Sequence, residues 1–100
     1  MKPYKLHPQA KADLLSATEY YERESWVVAG RFAAEMDRLV QEICAHPGVH
    51  RVFRAESRRH FGGRFPYAAI YVDEPDHVLI LAFAHFKRRP GYWVDRLLRG

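Results

Sequence analysis

Two apolar segments near the end of the chain constrain its fold more than any other feature of the sequence. The first, FPYAAIYV, covers residues 65–72, and the second, VLILAFAHF, covers residues 78–86. β-Branched and aromatic residues favour strands, and the DEPDH between the two segments, residues 73–77, is rich in residues that form turns. The two segments are therefore predicted to pair as a β-hairpin.

Shorter segments on either side extend this hairpin. Residues 57–61, SRRHF, are predicted to pair with it as a third antiparallel strand, and the Gly-Gly pair that follows would turn the chain. Residues 3–7, PYKLH, fit a short strand with one buried face, which Tyr4 and Leu6 share. Residues 92–98 are predicted to form a helical turn or two at the end.

The first half of the chain carries the periodicity of two helices. Pro8 suits the first position of a helix because its missing N–H would have no partner there, and the first helix is predicted over roughly residues 9–23. Ser25 is the predicted N-cap of the second helix, which the His-Pro-Gly at residues 46–48 would end. The short connection predicts an antiparallel helical hairpin. Its two apolar stripes comprise Ala10, Leu14, Ala17 and Tyr21, and Ala29, Phe32, Ala33, Met36, Val40 and Ile43.

These elements together predict an α+β fold of one domain spanning residues 1–100, in the order β-α-α-β-β-β. An antiparallel sheet would pack one face on the N-terminal helical hairpin and expose the other. The hydrophobic content of 48% and the aromatic content of 14% supply enough apolar surface for one core. The exposed face of the sheet is where we expect function to lie.

Composition excludes several classes of protein. The single cysteine, Cys44, cannot form an internal disulfide, and no Cys and His residues stand at the spacing of zinc ligands. No run of 18 apolar residues predicts a membrane span, and the N-terminus lacks the apolar core of a signal peptide. We therefore expect a cytoplasmic protein that uses no metal and no other cofactor.

The net charge of +4 is unevenly distributed along the chain. Residues 1–50 hold six Lys and Arg against seven Asp and Glu, whereas residues 51–100 hold ten against five, so the halves carry −1 and +5. A basic surface on one side indicates an acidic partner, which could be nucleic acid or an acidic protein segment. The basic residues are Arg51, Arg54, Arg58, Arg59, Arg64, Lys87, Arg88, Arg89, Arg96 and Arg99.

If both basic runs lie at one end of the sheet, aromatic residues would alternate with these cations, as a surface that binds phosphates and bases requires. They are Phe61, Tyr67, Tyr71, Tyr92 and Trp93. The alternative interpretation is a solvated basic rim that only keeps the protein in solution.

The segment from His85 to Trp93 is the densest in polar function. A neutral His85 could act as an acid or base, Arg88 or Arg89 could stabilise a pentavalent phosphorane, and Tyr92 could deprotonate or position a 2′-hydroxyl. Those roles would make a ribonuclease that needs no metal. In the alternative interpretation, His85 and Trp93 are packing residues that form hydrogen bonds at the edge of the sheet.

Three short motifs resemble those of the RelE/ParE superfamily of plasmid-stabilisation toxins. They are Ala10-x-x-Asp13-Leu14 with Tyr20-Tyr21-Glu22, then Phe65-Pro66-Tyr67 with Tyr71, and finally His85-x-x-Arg88-x-Pro90-x-Tyr92-Trp93. The resemblance spans almost the whole chain. It implies a toxin of a type II toxin–antitoxin pair, neutralised by a cognate antitoxin whose flexible segment wraps the helical hairpin and sheet.

The superfamily divides by target, and the FPY and PGYW motifs place this chain closer to the ParE branch. ParE-like toxins poison DNA gyrase by binding, whereas RelE-like toxins cut messenger RNA on the ribosome. If the chain were a nuclease, the resemblance implies catalytic roles for Arg58 or Arg64, Arg88 or Arg89, and Tyr92. The chemistry of the segment from His85 to Trp93 adds His85 to these candidates. A binding toxin would instead contact its target or antitoxin through Arg58, Arg59, Arg64, Tyr67, Lys87, Arg88, Arg89, Tyr92 and Trp93.

We expect inhibition of gyrase by binding. The alternatives are the ribosome-dependent endoribonuclease and a non-toxic binding module with the same fold. In each case the partners would be an antitoxin in a hetero-oligomer and a macromolecular target, with no membrane involved.

Overall fold

Within the described residues, 1–98, the chain forms four strands and three helices in the predicted order. The structure is a computed structural model, and Arg99 of the basic set lies outside the residues it describes. The elements are β1 (Tyr4–Leu6), α1 (Pro8–Glu22), α2 (Trp26–Ala45), β2 (Arg58–Phe61), β3 (Tyr67–Asp73), β4 (Val78–His85) and α3 (Val94–Leu98). The predicted α+β class is confirmed.

The two long helices begin where their capping residues predict. Pro8 is the first residue of α1, and the ring Nδ1 of His7 accepts a hydrogen bond from the backbone N–H of Gln9 at 3.1 Å. At the start of α2, the hydroxyl of Ser25 accepts from the N–H groups of Val27 and Val28 at 3.1 and 3.4 Å. These bonds satisfy donors that have no partner inside a helix.

The sheet has the strand order β1-β4-β3-β2. Strands β2, β3 and β4 form the predicted antiparallel meander, while β1 pairs in parallel with Val78–Ile80 of β4. The sheet is therefore mixed, which adds a parallel edge to the predicted antiparallel sheet. A three-residue strand carries no sequence signal for its direction, so only the folded chain reveals it.

The main core lies between the helical hairpin and one face of the sheet. Its buried residues from α2 include Phe32, Met36, Leu39 and Ile43, and the sheet contributes Ala69, Tyr71, Val78, Ile80 and Phe83. The predicted helical stripes are largely confirmed, but Ala33 is exposed. Leu6 packs on this core, whereas Tyr4 is 43% exposed, so the predicted shared burial of these two residues is wrong for Tyr4.

A β-bulge changes which side chains of β4 face the helices. Ile70 pairs with Ala82 but Tyr71 pairs with Ile80, which leaves Leu81 as an extra residue in β4. An extra residue reverses the alternation of side chains beyond it. Consequently Ile80 and Phe83, three positions apart, both join the core on the helix side.

The second face of the sheet is not fully exposed, so this part of the prediction is wrong. Ile70, Leu81 and Ala82 are buried there together with Trp93, and Leu97 of α3 packs against them. Strand β4 is apolar on both faces, and such a strand needs a cover on each side. The segment after β4 supplies that cover. A depression remains at the end of the sheet, where Phe61, Ala68 and Ala84 line it. No helix within residues 1–98 is long and apolar enough to cross a membrane.

Candidate binding site at the end of the sheet

Two depressions lie on opposite sides of the segment that follows β4. One is a groove of about 110 Å³ on the sheet face that points away from the helices, and the other is a cleft of about 450 Å³ beside α1. His85, Arg88 and Tyr92 line both of them. We call these the far-face groove and the α1 cleft. Three of the predicted site residues therefore form the wall between two concave surfaces.

The far-face groove combines a small apolar floor with aromatic walls and a basic rim. Ala68, Ile70 and Ala84 form the floor, which is lowest at the two alanines because their side chains are single methyl groups. Phe61 and Phe86 pack edge to face, with ring centroids 5.6 Å apart, and both are about half exposed at 52% and 51%. None of the described residues that line the groove is acidic. The remaining lining residues are Arg59, His85, Arg88, Pro90, Tyr92 and Trp93.

The Arg59 side chain lies over aromatic rings at the rim of the groove. Its guanidinium carbon is 3.6 Å from the centroid of the Phe53 ring and 5.2 Å from that of Phe61. A cation over a ring face is attracted by the ring quadrupole. The stacked guanidinium keeps its N–H groups available at its edge, where a planar anion can accept from them.

Arg88 is held in the same way at the opposite wall. Its guanidinium carbon is 4.0 Å from the centroid of the Tyr92 ring, and that of Arg96 is 5.3 Å from the same centroid. Burial raises the pKa of the Tyr92 hydroxyl, and the negative charge of Asp13 adds to this effect while the two arginines oppose it. The phenol therefore stays protonated at neutral pH and acts as a hydrogen-bond donor or acceptor.

His85 is oriented by its own chain. Its Nδ1 accepts a hydrogen bond from the backbone N–H of Lys87 at 3.0 Å, and its ring packs edge to face on Tyr67 at 5.0 Å. Because Nδ1 is an acceptor, the neutral ring carries its proton on Nε2. Tyr67 lines the α1 cleft, and burial raises the pKa of its hydroxyl.

Trp93 is a buried residue that supports one wall of the groove. Only 3% of its surface is exposed, and its Nε1–H donates to the Ser57 hydroxyl at 3.2 Å. That hydroxyl in turn donates to the carbonyl of Arg54 at 2.5 Å, which fixes the loop before β2 to the tail. Trp93 thus forms a rigid wall, as the packing interpretation of the sequence expects.

Two of the predicted site residues lie elsewhere. Arg58 is on the helix-facing side of β2, where its guanidinium donates to the carbonyls of Gly48 and His50. Arg64 is exposed in the turn between β2 and β3, and its backbone N–H donates to Glu35 Oε1 at 3.1 Å. Neither residue lines the groove or the cleft. The exposed Lys87 and Arg89 stand beside the groove and add positive charge to its surroundings.

One ion pair beside the site is absent from the sequence predictions. Asp13 of α1 accepts two hydrogen bonds from Arg96 of α3, at 2.7 and 3.2 Å. The motif that contains Asp13 is local, and nothing in it indicates a partner 83 positions away. Among the described residues, no cluster of three or more His, Cys, Asp or Glu side chains is placed to hold a metal ion.

Comparisons with known proteins agree with this architecture. The family described as "ParE toxin of type II toxin-antitoxin system, parDE" matches residues 4–90 of the chain. The solved structure described as "Chromosomal ParDE TA system from P. aeruginosa" has a TM-score of 0.74 and 20% sequence identity, over 85% of this chain and 96% of that chain. At that identity the likeness establishes the fold. No curated protein matches the chain by sequence.

Proposed function

The chain belongs to the ParE toxin family of type II toxin–antitoxin systems, and from this membership we propose that it inhibits DNA gyrase by binding it. A cognate antitoxin would neutralise it in a hetero-oligomer. Both partners would meet the toxin in the cytoplasm. The sequence resemblance to the ParE branch of the superfamily is confirmed by the same family match.

The observation that carries this proposal is the chemistry of the far-face groove. Arg59 and Arg88 are stacked on rings, Phe61 and Phe86 are half exposed, and no described lining residue is acidic. Aromatic and arginine side chains around a small apolar pocket are the residues that dominate binding energy at protein interfaces. The groove therefore supports recognition of a macromolecular partner.

The state of Tyr92 disfavours one nuclease role for its hydroxyl, that of a general base. A general base must lose its proton near the working pH, but burial raises the pKa of Tyr92 above its ordinary value. Of the two sheet arginines proposed for the nuclease, Arg58 is engaged by backbone carbonyls and Arg64 lies outside the groove.

Supercoiling by purified gyrase tests the proposal. We expect the wild-type protein to reduce supercoiling, and Arg59→Gln with Arg88→Gln to weaken that inhibition by about tenfold, the loss typical of an arginine at the centre of an interface. Lys11→Gln with Arg31→Gln removes the same charge from exposed positions on the helical hairpin and serves as the control. Gyrase that supercoils normally across a wide range of toxin concentration would contradict the proposal.

The second candidate function is a ribosome-dependent endoribonuclease. It is favoured by one observation, which is that His85, Arg88 and Tyr92 line the same two depressions. Primer extension on translated messages would reveal cuts at the ribosomal A site. Loss of those cuts in Arg88→Ala and Tyr92→Phe would establish the nuclease roles, and their persistence would exclude them.

Expression in a growing culture separates a toxin from a non-toxic module of the same fold. Induction without an antitoxin is expected to stop growth, and coexpression with a cognate antitoxin is expected to restore it. Normal growth with abundant folded protein would favour the binding module.

A further inference from the structure

The far-face groove has the size and lining of a pocket for one side chain. Its volume is about 110 Å³, and its floor of Ala68, Ile70 and Ala84 is apolar and low. Aromatic rings bound it at both ends, with Phe61 and Phe86 at one and Tyr92 and Trp93 at the other. An inserted aromatic ring would form edge-to-face pairs with such walls.

The charge around this pocket has one sign. Arg59 and Arg88 line it, and Arg54 lies against the tail, with its Cδ only 3.0 Å from where a Cβ on Gly91 would stand. Lys87 and Arg89 are exposed beside it. With no acidic residue among the described lining, a bound segment that carried carboxylates would gain charge-assisted hydrogen bonds without meeting like charge.

The packing of the aromatic residues favours a peptide over a nucleic acid. Stacking of successive bases needs exposed ring faces in series. Here Arg59 covers Phe53, Arg88 covers Tyr92, and Trp93 is almost wholly buried. The two half-exposed rings, Phe61 and Phe86, pack edge to face on each other, so they do not present parallel faces in series. What remains open is a single apolar pocket between guanidinium groups.

We propose that the far-face groove binds an acidic peptide segment of the toxin's target protein, anchored by one aromatic side chain that inserts between Phe61, Phe86 and Tyr92. The flanking carboxylates of the segment pair with Arg59 and Arg88. This inference rests on the proposed function, in which the target of the toxin is a protein. It deepens that function by defining the chemistry of the peptide segment that the toxin recognises.

Fluorescence anisotropy with a synthetic peptide tests this inference directly. The probe is a labelled peptide in which one tryptophan is flanked on each side by two acidic residues. Replacing its tryptophan by alanine should weaken binding to the wild-type protein about tenfold or more, because a buried aromatic anchor carries much of the energy of an interface. Replacing its acidic residues by lysine should abolish binding.

Matched variants of the protein locate the site. Phe86→Ala and Arg88→Gln should each weaken binding by about fivefold or more. Trp26→Ala and Arg31→Gln remove an aromatic ring that is 80% exposed and an exposed arginine from the helical hairpin, and they should leave binding within about twofold. Thermal melting of each variant checks that its fold is intact.

The remaining outcomes separate this inference from the proposed function. Equal binding of the tryptophan and alanine peptides would overturn the inference. It would also be overturned if a single-stranded oligonucleotide bound more tightly than the peptide and lost its binding in Phe86→Ala and Arg88→Gln. If the protein inhibited gyrase but did not bind the peptide, the inference would be wrong and the gyrase proposal would stand. Peptide binding without gyrase inhibition would support the inference and contradict the gyrase proposal.

Discussion

At the scale of single residues, the pair of Asp13 and Arg96 connects α1 and α3 to the edge of β4. Strand β1 covers only Val78–Ile80 of that edge. Beyond it, Arg96 donates to the carbonyl of Leu81 at 2.8 Å, and Asp13 accepts from the N–H of Phe83 at 3.1 Å. The two side chains therefore satisfy backbone groups that the short strand leaves unpaired.

We predict that Asp13→Asn destabilises the protein by about 2–3 kcal/mol, because it leaves the partly buried guanidinium of Arg96 without its counter-charge. The Asp13 and Arg96 side chains are only 17% and 11% exposed. Arg38→Gln breaks a pair with Glu42 whose side chains are 49% and 47% exposed, and it should cost less than about 1 kcal/mol. Urea denaturation of both variants measures the difference. Equal losses of unfolding free energy in the two variants would show that burial does not strengthen the pair of Asp13 and Arg96.

A pair of histidines joins the loop before β2 to the helix-facing side of the sheet. The rings of His50 and His60 are 4.3 Å apart, and His60 Nε2 lies 2.7 Å from Glu42 Oε1. The Tyr71 hydroxyl donates to the carbonyl of Pro47 at 2.8 Å and lies 3.2 Å from His50 Nδ1. Burial raises the pKa of Tyr71 to about 12, so its proton remains in this bond at physiological pH.

We predict that stability falls as the pH drops below about 6.5, the ordinary pKa of histidine. Burial lowers the pKa of His50 in the folded protein, and the charges of His60 and Arg58 add to this effect while Glu42 opposes it. The unfolded chain therefore binds the proton first, so the stabilisation is complete above pH 6.5 and is lost as the pH falls towards the folded pKa.

Melting temperatures between pH 7.5 and 5.5 measure this effect. His50→Gln should flatten the decrease, whereas His46→Gln, at an exposed position in the same loop, should not. A decrease of the same size in His50→Gln would assign the proton uptake to another group.

At the scale of elements, the turn between β2 and β3 is tied to α2 through Glu35. Its two carboxylate oxygens accept from the N–H groups of Arg64 and Phe65 at 3.1 and 3.0 Å. The turn runs so close to this carboxylate that a Cβ on Gly62 would stand 2.6 Å from Glu35 Oε2 and 2.9 Å from the carbonyl of Phe65. Gly63 has no atom within 4 Å of the same position.

We predict that Gly62→Ala destabilises the protein by about 1–3 kcal/mol, the usual cost of overpacking. Gly63→Ala should change the stability by less than about 0.5 kcal/mol, because the new methyl group enters open space. Chemical denaturation of the two single variants makes the comparison. The prediction is wrong if the two alanines are equally tolerated.

How far the sequence predicts these elements depends on the range of the interactions that form them. The helix starts at Pro8 and after Ser25 and the hairpin turn at residues 73–77 are local, and all three are found where predicted. The bulge at Leu81 and the parallel pairing of β1 depend on partners far along the chain. The cover of the second face could have been suspected, because β4 is apolar without alternation.

At the scale of the whole molecule, the range of the interactions also decides which parts of the site the sequence predicts. His85, Arg88 and Tyr92 are close in sequence, so their motif predicted a common location that the structure also gives them. The contact of Arg59 with Phe53 requires the loop before β2 to fold back on that strand. Arg58 and Arg59 are neighbours with the same chemistry, yet strand alternation sends them to opposite faces, and the charge pattern does not reveal which one reaches the groove.

The charge asymmetry of the whole molecule predicts how its association rate depends on salt. The chain measures 39 Å along its longest axis, whereas the screening length is about 30 Å at 0.01 M salt and about 8 Å at 0.15 M. At low salt, the cations of the basic half therefore act together to attract an acidic partner. At physiological salt, only the cations at the groove, which lie close to the bound partner, still speed its association.

Two arginines distinguish these regimes. We predict that at 0.01 M salt both Arg64→Gln, which lies outside the groove, and Arg88→Gln, at its rim, slow association with the acidic peptide by about twofold or more. At 0.15 M salt only Arg88→Gln should still slow it, because the charge of Arg64 is then screened. Stopped-flow measurements at the two salt concentrations give these rates. If Arg64→Gln remained as harmful as Arg88→Gln at 0.15 M, the peptide would contact the β2–β3 turn directly, and the binding surface would extend beyond the groove.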